Sequence, residues 1–151
     1  MATAYSASNL SNQLRIASDA NDFSQVFSFT VPAAGFIIND TVKLCKIPGN
    51  ARNGIILLDI LLNVPDLDTA TGVTLDLGDG GLATRYLSAS TTGQSAGTLV
   101  TKDMVTASLP HLYTADDYLI LTIHAAPTTT ATTGLFTGYC RFNVASFGDL
   151  T

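Results

Sequence analysis

The residues able to do acid, base or nucleophile chemistry near neutral pH are few and scattered. The chain has two histidines, His111 and His124. His111 follows Pro110 in an expected loop, and His124 lies beside Thr122 on the polar side of an expected strand. Neither falls in a His-x-His or His-Glu-x-x-His spacing that would hold a metal. Gly78-Asp79-Gly80-Gly81 has the glycines of a phosphate loop, but no Lys-Ser or Lys-Thr follows and no helix opens there, so it reads as a turn. Glycoside hydrolysis needs two carboxylates about 5–10 Å apart, one with a raised pKa. Asp59 and Asp76 are the acids inside strong strand patterns, and a solvated or hydrogen-bonded structural role is expected for both. Asp66, Asp68, Asp76 and Asp79 could offer oxygens to Ca²⁺. Asp66-Leu67-Asp68 is only a fragment of a calcium loop, whose closing Glu is impossible because all 12 acidic residues are Asp. The expectation is a non-enzymatic protein with no catalytic, cofactor or metal site.

Composition narrows the class further. The chain is 151 residues long, 46% hydrophobic and only 13% charged. That excludes intrinsic disorder, which needs low hydrophobicity and high net charge. Asp favours turns where Glu favours helices, so an acid set without Glu leans toward strands and loops. The 7 Lys and Arg do not cluster and the net charge is −5, so no basic stripe exists for nucleic acid. The longest apolar run, Ile55 to Val64, is interrupted by Asp59, too short for a membrane-spanning helix. The opening MATAYSASNL has neither a basic start nor an apolar stretch, so no secretory signal is expected there. Cys45 and Cys140 read as buried thiols of a reducing cytoplasm, with a disulfide between them left open.

The elements follow from a period of two. Phe23, Phe27, Phe29 and Val31 alternate with Ser24, Ser28 and Thr30. Thr41–Ile47 is a strand with Val42 and Leu44 on one face, and Pro48-Gly49-Asn50 breaks it. In 55–64, Ile56, Leu58, Ile60, Leu62 and Val64 form an apolar face, while Ile55, Leu57, Asp59 and Leu61 form a second, half-apolar one. Strands are also expected at 73–77, 84–87, 98–101, 118–126 and 135–147. The predicted core is Phe27, Phe29, Leu58, Ile60, Leu75, Leu121, Ile123, Phe142 and Val144. About eight strands with long connections predict an all-β fold, an antiparallel β-sandwich of jelly-roll type. Residues 1–20 are expected to be an N-terminal arm and 21–151 the sandwich domain.

Three stretches carry a resemblance. They are Val42-Lys43-Leu44-Cys45-Lys46-Ile47-Pro48-Gly49-Asn50-Ala51-Arg52 with the apolar strand after it, Val73-Thr74-Leu75-Asp76-Leu77-Gly78-Asp79 with Arg85-Tyr86-Leu87, and Tyr113-Thr114-Ala115-Asp116-Asp117-Tyr118-Leu119 with a long loop to Gly134 and an aromatic last strand. In this order the chain resembles the capsid decoration, or cement, proteins of tailed bacteriophages and related head structural proteins. The resemblance implies a jelly-roll subunit that is made in the host cytoplasm, forms a homotrimer and stabilises the outer surface of the virion by binding the major capsid protein. Two sets of contact residues are expected: Ile55, Leu57, Asp59 and Leu61 at a subunit interface, and Tyr5, Leu10, Leu14 and Ile16 on a capsid-binding arm. The alternative is a carbohydrate- or receptor-binding module of a head or tail fibre. Such modules use exposed aromatic platforms, often Trp, and this chain has none.

Overall fold

A computed structural model describes residues 1–7, 15–17, 22–49, 54–68, 70–100, 103–104, 109–129 and 133–144, with backbone alone for 15–17. Among the described residues are eleven strands: β1 Ala4–Ser6, β2 Arg15–Ala17, β3 Asp22–Thr30, β4 Thr41–Ile47, β5 Ile55–Val64, β6 Thr74–Gly78, β7 Leu87–Ser90, β8 Gly97–Val100, β9 His111–Tyr113, β10 Asp117–Ala125 and β11 Leu135–Val144. A 3-10 turn, Thr92–Gln94, precedes β8. The eight longer strands follow the predicted pattern. One is displaced: β7 begins at Leu87, where 84–87 was expected. Residues 79–86 are instead a compact loop in which the Leu82 carbonyl accepts from both Asp79 and Arg85 amides.

Two sheets face each other. One has the order β1-β4-β10-β6-β7, and the other the order β2-β3-β11-β5-β8, with β9 also paired to β5. All pairings are antiparallel except β1 on β4. Their inner faces supply one core, including Phe27, Phe29, Ile60, Leu75, Leu121, Ile123 and Phe142. Gly138 sits in the middle of β11 because a Cβ there would lie 2.1 Å from the Leu61 carbonyl oxygen and 2.6 Å from the Phe27 ring.

Bulges decide which residues are inside. Along the β5–β11 pairing, Asp59 faces Arg141 but Leu57 faces Phe142, so Leu58 is an extra residue. An extra residue reverses the in–out alternation on either side of it. Ile55 and Leu57 therefore point into the core with Ile60, Leu62 and Val64, while Ile56, Leu58 and Leu61 are only partly buried. This corrects two expectations. Leu58 is not a core residue, and Ile55 and Leu57 are not on an outer face. Val144 packs against the core from a half-buried position. On β4 the offset falls at Leu44, and both Leu44 and Cys45 are buried. Cys45 and Cys140 thus meet inside the sandwich as free thiols. Burial, and the Cys45 thiol beside it, push the Cys140 thiol well above its ordinary pKa.

The bulge yields a direct check. Leu57→Ala should cost about 2–5 kcal/mol, the range for emptying a buried leucine site. Leu58→Ala should cost about 1 kcal/mol or less. Chemical denaturation of the two variants measures the difference, and equal losses would contradict the offset.

Candidate functional site

Much of what fixes the loops is buried aspartate. Asp68 is fully buried and accepts backbone N–H groups from Ala70, Gly72, Val73, Thr128 and Thr129 at 2.9–3.1 Å. Burial alone would raise its pKa, but the N–H donors outweigh it and hold the carboxylate well below its usual range. Asp66 Oδ1 accepts the Asp68 amide at 3.2 Å. The pair suspected of calcium binding is thus a loop clamp, with both Asp68 oxygens already occupied by backbone donors. Asp40, also buried, accepts from the Thr3 amide at 2.6 Å and the Ile37 amide at 3.0 Å.

Asp79 organises the opposite end. It accepts from the Gly81 and Leu82 amides, from Arg85 Nε, and from the Tyr113 hydroxyl at 2.7 Å. Tyr113 and the fully buried Tyr86 share a hydroxyl–hydroxyl bond. Because Tyr113 is on β9, this network ties the turn after β6 to the other sheet. Desolvation opposes ionisation of Asp79, yet Arg85, Tyr113 and the Leu82 amide lower its pKa. The same burial pushes the Tyr86 and Tyr113 hydroxyls far up, so both stay protonated. His111 packs edge-on against Tyr113 at 4.8 Å, and its pKa is lowered by burial and by Arg85.

Gly93-Gln94-Ser95-Ala96-Gly97 matches the Gly-x-Ser-x-Gly spacing of a hydrolase nucleophile turn. That turn normally joins a strand to a helix; here Ser95 follows the 3-10 turn and leads into β8. His124 Nδ1 lies 2.8 Å from Asp76 Oδ2, a His–carboxylate pair. Gly93 packs on the side chains of Leu67, Val73 and Leu75, which face the core. Asp76 follows Leu75 and so points to the other side of the sheet. Gly93, two residues before Ser95, therefore lies on the core side of the sheet and the His124–Asp76 pair on the other side.

The expected contact residues divide. Tyr5 packs on Phe29 and Phe36 at ring distances of 6.0 and 5.7 Å, so it serves the chain's own core. Ile16 is in β2, opposite Ser24 of β3. Leu10 and Leu14 lie outside the described residues. Asp59 and Leu61 remain on the outer face of the six-stranded sheet, with the Tyr139 hydroxyl 3.3 Å from Asp59. Register aligns Val26, Tyr139, Leu61 and Val100 in one apolar row across that face. Sequence missed this row because cross-strand neighbours are far apart in the chain.

No family model and no curated protein sequence matches the chain. Solved structures do. A chain from the capsid of Ralstonia phage GP4 superposes with a TM-score of 0.73 at 20% identity, covering 97% of this chain and all of that one. Its fold is that of a phage capsid chain. A chain of the cyanophage Pam1 capsid asymmetric unit gives a TM-score of 0.63 at 27% identity over 87% of this chain and 94% of its own. One from the acid-stable capsid of Helicobacter pylori bacteriophage KHP30 gives 0.51 at 10% identity over 89% and 94%. The sequence resemblance points to the same group, phage head structural proteins. In this fold, Asp79 and Asp68 bind loops together through backbone N–H groups.

Their lowered pKa values set an acid limit. In the unfolded chain both carboxylates take up protons near pH 4. Their stabilisation is complete above that pH and falls away as pH drops toward their lower folded values. Denaturation midpoints should therefore be level from about pH 5 to 7 and decline below about pH 4. Arg85→Met, which leaves Asp79 buried without its cation, should cost about 3 kcal/mol at pH 7. That loss should shrink in acid. A pH-independent loss would show that the pair contributes packing alone.

Proposed function

We propose that this chain is a non-enzymatic decoration protein of a phage head, which binds the outer surface of the capsid as a homotrimer and stabilises the shell. The observation that carries the reading is the correspondence along essentially the full length of both chains with a chain of the GP4 capsid. The composition agrees with it. A protein with few charges and no assembled nucleophile, acid and base among its described residues spends its surface on other subunits.

The subunit contact is assigned to the outer face of the six-stranded sheet, through Asp59 and Leu61 of β5 and the row containing Val26 and Tyr139. These side chains are only partly covered in the single chain, and an apolar row flanked by Arg141 and Asp59 suits a packed interface with a polar border. Its partner on the virion is the major capsid protein.

Sedimentation velocity should show a trimer for the wild type. Leu61→Asp places a charge in the row and should shift the protein to monomer with an unchanged circular dichroism spectrum. Added to undecorated capsids, the wild type should co-sediment with them and raise their melting temperature. Specific binding on a glycan array, with no capsid binding, would favour the fibre-module alternative instead.

A further inference from the structure

The two ends of the sandwich differ in charge. Pairings of Thr30 with Leu135, Thr122 with Thr41 and Ala125 with Thr74 bring the connections 31–40, 65–73 and 126–134 to one end. These stretches contain no Lys, Arg or His. Their acids are Asp40 and Asp68, buried against backbone donors, and Asp66, the single exposed charge among them. Three large apolar side chains are nonetheless turned to the outside there: Ile37 at 44%, Ile38 at 51% and Leu135 at 53% exposure. At the other end the connection 79–86 contains Arg85, paired with Asp79, and Lys46 pairs with Asp116 at 2.8 Å.

The described residues of this end are also tied to one another. Asp68 joins the connection after β5 to the one after β10. Gln94 Nε2 donates to the Thr71 and Val73 carbonyls at 2.9 and 3.0 Å. Asp40 fastens Ile37 to Thr3. Phe36 anchors the stretch before Ile37 by packing on Phe29 and Phe136. Loops fixed in advance lose little entropy on binding, and with Asp66 as the one exposed charged side chain of these connections there is little charge to desolvate.

We infer that this end, through Ile37, Ile38 and Leu135, is the surface that seats on the capsid, and that its occupant is an uncharged, apolar-rimmed patch of the coat-protein lattice. The inference rests on the decoration-protein reading and on its subunit contact. Subunits that meet through a sheet face leave their sandwich ends on the two faces of the ring. A trimer then presents three copies of the uncharged end on one side and the charged ends on the other. The charged side suits water. The uncharged side can approach a lattice without opposition from the chain's net charge of −5, and three copies add avidity.

The test compares wild type, Ile37→Asp/Ile38→Asp, Leu135→Asp and, at the other end, Leu82→Asp. Each is mixed with capsids assembled from coat protein alone. Circular dichroism and sedimentation velocity first establish that fold and oligomer are kept. Both uncharged-end variants should then bind at least about tenfold more weakly, a loss of about 1.4 kcal/mol, with Leu82→Asp unaffected. Hydroxyl-radical footprinting of the wild type gives a readout free of folding effects: Ile37, Ile38 and Leu135 should lose reactivity on the capsid. Wild type that binds while these residues stay reactive, or while Leu82→Asp alone abolishes binding, overturns the inference and leaves the decoration role standing. Wild type that does not bind coat-protein capsids overturns the decoration role itself. Pairing of two trimers through this end in the absence of capsids, with its residues still reactive on capsids, would give the surface to a second copy of the chain.

Discussion

The position of β11 between β3 and β5 is the constraint that governs the molecule. It is ten residues long and pairs along nearly its whole length with both neighbours. Whatever it places inward must meet the opposite sheet, and whatever it places outward must meet water or another molecule. Phe136, Cys140 and Phe142 satisfy the first demand, and Gly138 makes room for Phe27. The offset at Leu58 lets β5 follow this strand while turning Ile55 and Leu57 inward.

The absence of Glu gains a structural meaning from the loops. A carboxylate that accepts several nearby backbone N–H groups must be short, because a longer side chain overshoots donors two to five residues away. Asp68 reaches Ala70, Gly72 and Val73 in this way, and Asp79 reaches Gly81 and Leu82. These are local turns of the Asx kind, extended by Thr128 and Thr129 in one case and by Arg85 and Tyr113 in the other. Acidic charge is thus spent on holding connections in place, and little is left for the surface at the uncharged end.

Alternation made the long strands legible, and with them the all-β sandwich and seven members of its core, Phe27, Phe29, Ile60, Leu75, Leu121, Ile123 and Phe142. It failed where one residue was added. A bulge leaves no mark in composition, so the parity of Ile55, Leu57 and Leu58 was unreadable from one strand alone. The three-residue strands β1, β2 and β9 are shorter than the window in which a period can be seen. Asp40, Tyr86 and Tyr113 gave no local signal, since their partners lie on other elements. Neutral connections were visible in the sequence as runs of Thr, Ala, Gly and Pro, but only the pairing of strands shows that they share one end.

Among the described residues, the outermost strands of both sheets are β1, β2, β7 and β8, with lengths of 3, 3, 4 and 4 residues. A foreign strand adding to β1 or β7 would find only a few free backbone groups before the ladder ended. Long, flat edges invite runaway polymerisation, and short ones blunt it. A protein crowded together at high local concentration is thereby protected from zipping into fibrils, and its contacts are left to side chains, which can tell one partner from another where backbone cannot.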